Sequence, residues 1–294
     1  KNITIHKFDN WNPQIKTNIY HFFSCMGGSF DFCNYLKSIE KKLIISASLW
    51  ITKDTINKYN IDQIKSQLVI ADRIIVNSKK EKDLLSEVFQ IESSKFRVVY
   101  NGFEPDLLKY RYKKFRRSSK IPPDWKDYIL CLANIEPRKN QKILIEACRL
   151  CKKKLVLVGH IRDKEYFKSL EIDNNDSVFY YGSVENHSFK FFSLLLNAKC
   201  FLLPSTLETP GLAALEAAAL GIPIIVTSEG CAKEYFGTID TYYDGKKGDV
   251  KELADLISKV FINPALGSVN LDQIKKFSWD KCVDNQILVY KELI

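Results

Sequence analysis

Two carboxylates, Glu208 and Glu216, stand at either end of the short run TPGLAAL, which the sequence pattern predicts as the start of a helix. Pro210 can take the first helical position, and Gly211 lets a ligand approach the backbone closely. N–H groups left free at a helix start attract anions, phosphate above all. Glu208 lies just before that start and Glu216 about one and a half turns inside it. The pair can therefore flank one ligand from opposite ends. A carboxylate repels phosphate but accepts bonds from hydroxyls. The combination suits a phosphate carrying sugars on both sides, which is what a nucleoside diphosphate sugar is. Spacing alone leaves a second reading open, in which Glu208 caps the helix and Glu216 is a solvated charge.

A second pair of charged residues follows another strand. The loop IEPRKN puts Arg138 and Lys139 in front of a helix that begins near Asn140. Two fixed cations there are costly unless something negative arrives. Breaking a sugar–phosphate bond places extra charge on the leaving diphosphate, and cations with helix N–H groups stabilise it where it develops.

The elements that must hold these residues are regular from Tyr128 onward. YILCLAN, LVLVG, VFYYG, CFLLPS and PIIVT read as strands. They alternate with helices from about Gln141 to Cys151, after Asp163, through FKFFSLLL and through the stretch after Pro210. Strands without polar alternation are buried on both faces. This predicts a doubly wound domain whose ligands bind beyond the C-terminal strand ends, at the loops after Asn134, Gly159, Gly182 and Ser205. Residues 1 to 105 repeat the pattern more loosely. ITIHKF, NIYHFF, LIISASL, RIIVNS and FRVVYNG are predicted strands, and SFDFCNYLKSIEKK and KKEKDLLSEVF predicted helices. Gly27 and Gly28 join a strand to a helix, as a tight turn or as a loop holding a phosphate or acceptor.

Residues 201 to 228 resemble the Glu-x7-Glu motif of retaining glycosyltransferases, family 4 of the sequence classification, with Glu208 and Glu216 at its two Glu positions. The resemblance runs from about residue 66 to the C-terminus. It implies the GT-B arrangement, α/β with two Rossmann-like domains facing a cleft. The implied divisions are an acceptor-side domain over 1–108 that lacks its opening strand and loop, a basic linker over 109–124, a nucleotide-sugar domain over 125–278, and a closing helix over 279–294. That helix carries Trp279 and the ending VYKEL, crosses back to the first domain and implies a complete C-terminus, whereas the start at Lys1 rather than Met implies a missing N-terminal piece.

By the same resemblance, Glu208 contacts the transferred sugar, Glu216 the ribose diol, Lys139 the diphosphate, and Gly182 and Val184 the base. Thr209, Pro210, Gly211 and Leu212 bind the donor, the amides of Gly211 and Leu212 completing the phosphate cradle, and Asn101–Gly102 closes the first domain. Ala133 and Asn134 stand where the family has an Arg, so Arg138 either supplies that cation or points to solvent. Ser46, Ser48 and Trp50 occupy the neighbourhood of a family His. The implied reaction is retaining transfer of a hexosyl unit from a nucleoside diphosphate sugar to a bacterial surface glycan or lipid-linked acceptor. The departing phosphate acts as base.

Composition narrows the alternatives. The net charge of +9 favours anionic partners. It is concentrated in KYRYKKFRRSSK, residues 109–120, where seven of twelve positions are Lys or Arg. That run reads as a solvated linker or as a patch touching anionic lipid or an RNA backbone. No RNA-binding signature accompanies it, and no nucleic acid partner is expected. A module that binds sugar nucleotides without transferring them is the remaining alternative. The eight scattered cysteines fit reduced thiols and a cytoplasmic chain, peripheral at most on the inner membrane face. Cys148 and Cys151 read as packing. His160 and His187 lie on pocket-side loops without partner spacing for a metal or a triad, and no role is assigned to them. DNND, residues 173–176, reads as a turn. No cofactor and no metal are expected, since Arg138, Lys139 and a helix start already supply positive charge.

Overall fold

Short runs of Ile, Val and Leu pair side by side into two all-parallel sheets, and helices cover the faces that those side chains would otherwise expose to water. The computed structural model describes residues 3–8, 17–26, 29–52 and 55–294. The chain divides into two compact units, residues 1–100 with 280–294, and residues 101–279.

The first unit runs β1 (Ile19–Phe22), α1 (Phe30–Ser38), β2 (Lys42–Ser46), α2 (Ile61–Ile70), β3 (Arg73–Val76), α3 (Lys79–Phe89) and β4 (Phe96–Val98). Its strands lie in the order β1-β2-β3-β4. Successive strand residues point to opposite faces. Leu43, Ile45, Ile74 and Val76 accordingly join Leu36, Leu85 and Phe89 in one core, whereas Ile44 and Ile75 meet Val99 and Val289 on the other face. The start of α3 is fixed by side-chain bonds from Ser78 and Glu81. Ser78 accepts from the Glu81 N–H at 3.0 Å, and the buried Glu81 carboxylate reaches back to the N–H groups of Asn77 and Leu49 at 2.7 and 2.8 Å.

The second unit runs β5 (Tyr128–Leu132), α4 (Gln141–Leu150), β6 (Lys154–Val158), α5 (Lys164–Ser169), β7 (Val178–Gly182), α6 (Phe189–Leu196), β8 (Cys200–Leu203), α7 (Leu212–Ala219), β9 (Ile224–Thr227), α8 (Ala232–Phe236), β10 (Tyr242–Tyr243), α9 (Val250–Ile262) and α10 (Leu271–Lys275). The strand order is β10-β9-β8-β5-β6-β7. The chain thus builds outward from β5 to β7, returns to the other side of β5 with β8, and builds outward again. Loops leaving β5 and β8 diverge at that reversal and open a crevice at their C-terminal ends. Asp163, Ser188 and Asp249 cap α5, α6 and α9 with side-chain oxygens.

The last helix, α11 (Trp279–Lys291), packs with the first unit. Tyr290 Oη meets His21 Nδ1 at 2.8 Å, and Glu292 takes Arg73 and Arg97 at 2.8 and 2.7 Å. Those guanidiniums hold the Glu292 carboxyl down at about 2. Among the described residues no helix is long and apolar enough to cross a membrane.

Some details differ from the sequence reading. Residues 3–8 form no strand: Ile5 and Phe8 are exposed, Phe8 rests on the Phe32 ring at 4.9 Å, and among the described residues no strand pairs with the segment. Gly27 and Gly28 lie outside the described residues. The basic run 109–120 belongs to the second unit and is folded onto it. Arg111 donates to the carbonyls of Ala218 and Ala219, Arg117 to those of Pro122 and Pro123, and Phe115 packs on Phe189 and Phe192. Two cations that satisfy carbonyl ends in this way anchor a segment that charge density alone assigns to water.

Candidate functional site

The sequence from β8 into α7 is buried until it turns. Pro204 and Ser205 are buried, Thr206 N–H donates to the Arg138 carbonyl at 3.0 Å, and Glu208 pairs with Gly230 in an isolated parallel bridge. That bridge uses Glu208 N–H to Glu229 O and Cys231 N–H to Glu208 O, each 3.2 Å. Gly230 sits at φ +97°, and a Cβ there would lie 2.0 Å from the Glu208 carbonyl oxygen. Only glycine lets the two backbones approach so closely.

Past Glu208 the chain exposes Thr209 and buries Pro210. Gly211, at φ +83°, is the N-cap, and α7 begins at Leu212. Pro210 therefore precedes the helix rather than opening it, and the Thr209–Pro210 peptide is cis. Glu208 does not cap the helix, whose N-cap makes no side-chain bond. Among the described residues no acceptor meets the N–H groups of Gly211, Leu212 or Ala213, so the helix presents free donors there. Leu212 is half-exposed beside them.

Glu208 instead faces the loop after β5. Pro137–Lys139 forms one 3₁₀ turn, and Lys139 Nζ donates to Glu208 Oε1 at 2.5 Å, both side chains nearly buried. Arg138 joins them. Its Nη1 lies 2.9 Å from the Leu207 carbonyl and 3.8 Å from Glu208 Oε1, and its Nη2 meets Glu136 at 3.1 Å. Arg162, from the loop after β6, takes the other Glu136 oxygen at 3.4 Å. Asn140, in a left-handed conformation, ties this loop to the carbonyls of Pro204 and Gly245.

Glu216 lies on the first turns of α7 and is not a solvated charge, because its side chain is only 12% exposed. Asn186 Nδ2 and His187 Nε2 each reach its Oε1 at 3.3 Å. Burial pushes its carboxyl above the usual value, with Asn186 and His187 pulling the other way. Both partners come from the loop after β7, headed by Gly182 at φ +95° and by the half-buried Val184. The sequence reading left His187 without a role. The signal available was its place on the same strand-end loop as Val184, where a carboxylate on a neighbouring helix needed a donor. Among the described residues His160 lends its carbonyl, to Ile135 N–H. Among the described residues no three His, Cys, Asp or Glu side chains are grouped as metal ligands would be.

Loops from β5, β7 and β8 thus converge on α7, the loop from β6 bracing the first of them, with two cations and free amides at its start and a carboxylate at either end of that start. Two parallel-sheet Rossmann-like units of this kind are the domains of GT-B glycosyltransferases. Anabaena HepE, solved with UDP and glucose, superposes with a TM-score of 0.75 over 94% of this chain and 77% of its own, at 16% identity. The model of the family described as glycosyl transferases group 1 matches residues 112–276, more than half of the chain, and the protein belongs to that family. An uncharacterized glycosyltransferase of Methanocaldococcus jannaschii is 28% identical over 238 residues, 74% of this chain and 60% of its own length. The N,N'-diacetylbacillosaminyl-diphospho-undecaprenol alpha-1,3-N-acetylgalactosaminyltransferase of Campylobacter jejuni is 33% identical over 140 residues, 47% of this chain and 35% of its own. The chain therefore spans less than two thirds of either relative.

Proposed function

We propose that the second unit binds a nucleoside diphosphate sugar and that the protein transfers its hexosyl unit, with retention of configuration, to a glycan or lipid-linked acceptor in bacterial surface polysaccharide synthesis. Glu208 and Glu216 are then the two positions of a family 4 Glu-x7-Glu motif. The observation that carries this reading is the convergence of Lys139 and Glu208 at the crevice between β5 and β8, against the free N–H groups of α7. A diphosphate entering there takes Lys139, Arg138 and the amides of Gly211 and Leu212. Glu208, released from part of its pairing, accepts from a hydroxyl of the donor sugar. Glu216 takes the ribose, and Gly182 and Val184 line the base.

The bond from the anomeric carbon to the phosphate oxygen breaks as the bond to the acceptor oxygen forms on the same face. The acceptor proton passes to the departing phosphate. Lys139, Arg138 and the helix amides stabilise the charge on that phosphate, so no metal is required. The acceptor that the Campylobacter relative's name carries, a sugar on diphospho-undecaprenol, supports a lipid-linked acceptor. Such an acceptor places the protein at the inner face of the membrane, where Lys113, Lys114, Arg116 and Lys120, all exposed, offer contact to anionic headgroups.

A thermal-shift panel of UDP, GDP, ADP and their hexose conjugates, with and without EDTA, tests the site. One nucleotide series should raise the melting point in either condition. No shift with any of them ends the donor-site reading. NMR of the transfer product decides the stereochemistry, and an inverted anomer ends the claim of retention.

A further inference from the structure

Glu216 is held unevenly. Both protein donors, Asn186 Nδ2 and His187 Nε2, go to Oε1, and Oε2 has no partner among the described residues. A carboxylate oxygen has about two acceptor positions, so Oε1 is filled and Oε2 keeps both for a ligand. Opposite an ionised carboxylate the His187 Nε2 must carry the proton and donate. The imidazole is itself fixed. It lies edge-on to Phe191 at 5.5 Å and nearly parallel to Phe192 at 6.4 Å, and its backbone takes φ +56°, a conformation uncommon for any residue but glycine. Asn186 Oδ1 accepts from the His187 N–H at 3.2 Å and so braces that turn. A nearly buried carboxylate with one oxygen clamped and the other left open is arranged for hydroxyl donors that the chain does not supply.

We propose that His187, braced by Asn186, is a positioning residue that aims Glu216 Oε2 at the vicinal diol of a ribonucleotide and thereby makes the site select ribose over deoxyribose. This rests on the donor-site reading above. Both diol hydroxyls donate to Oε2 only if the carboxylate is turned as it is now. A carboxylate freed from His187 must be ordered by the ligand itself, so the second hydroxyl gains it less and the preference for ribose shrinks.

Calorimetric titration with UDP, GDP and ADP and with their 2′-deoxy forms tests this on wild type, His187→Ala, His187→Gln and Asn186→Ala. Wild type should prefer the ribonucleotide by about tenfold or more, the worth of one hydrogen bond to a charged group. His187→Ala should lose most of that preference, with ribonucleotide affinity falling towards that of the deoxy form. His187→Gln, which restores a donor, should recover it, and Asn186→Ala should fall between. A purely packing role for the imidazole weakens both nucleotides equally and leaves the ratio unchanged, which would overturn the inference. Wild type that binds ribo and deoxy forms alike overturns it too, while leaving the donor site standing. Wild type that binds none of the six removes the donor-site reading itself.

Discussion

Lys139 and Glu208 place opposite charges where little water reaches, with side chains 12% and 6% exposed. Removing one partner of such a pair leaves the other desolvated without compensation. Glu208→Ala should therefore cost about 3 kcal/mol in urea unfolding, and the double variant with Lys139→Met should lose clearly less than the sum of the singles. Additive losses would show that the two side chains do not sense each other. Glu216 makes a prediction of opposite kind. Burial raises its carboxyl above the ordinary value, so the ionised form needed to accept hydroxyl bonds is lost at a higher pH than for an exposed glutamate. Nucleotide affinity should begin to decline on acidification above pH 4.5, the unperturbed value, and Glu216→Gln should be weak at every pH. An affinity profile that is flat down to that value would contradict the role given to Glu216.

At the scale of elements, the site depends on close backbone approach between the segment before α7 and the segment before α8. Gly230→Ala puts a methyl 2.0 Å from the Glu208 carbonyl oxygen in a left-handed conformation. It should lower stability by about 3 kcal/mol and abolish nucleotide binding together, as chemical unfolding and calorimetry would show. This approach was not legible in the sequence, because Glu208 and Gly230 belong to different turns and nothing local marks their pairing. What the sequence pattern did convey were elements with strong apolar runs, such as β5, β6, β8 and β9, and the placement of Arg138 and Lys139 directly after a strand. Elements with mixed composition escaped it. Helix α2, capped by Asn60, carries Gln67 buried and Val69 exposed, so its periodicity is blurred, and the edge strand β10 is two residues long. The roles of Asn186 and His187 escaped it for a different reason, since they arise only when the loop after β7 is laid against α7.

Over the whole molecule, acid sensitivity between pH 6.5 and about 4 should trace to one partly buried imidazole. His21 bonds Tyr290 through Nδ1 and Ser46 through Nε2, each at 2.8 Å, and burial lowers it from 6.5 to about 4. Above pH 6.5 neither the folded nor the unfolded state holds the proton. Below it the unfolded chain binds a proton that the folded chain refuses. Stability should therefore fall as the pH drops from 6.5 to about 4, and His21→Gln should flatten that part of a melting-temperature profile. An unchanged slope would place the acid sensitivity elsewhere. The distribution of sulfur gives the molecule a built-in reporter. Seven of the eight cysteines are buried, and none is held in a disulfide. Burial pushes Cys25, Cys33 and Cys282 in the first unit to about 11, and Cys131 and Cys200 in the second to about 12. Alkylating reagents attack thiolates that they can reach, so modification of each buried thiol must wait for its surroundings to open. Mass spectrometry of timed alkylation should thus clock the opening of the two units separately, in one sample and without any engineered label.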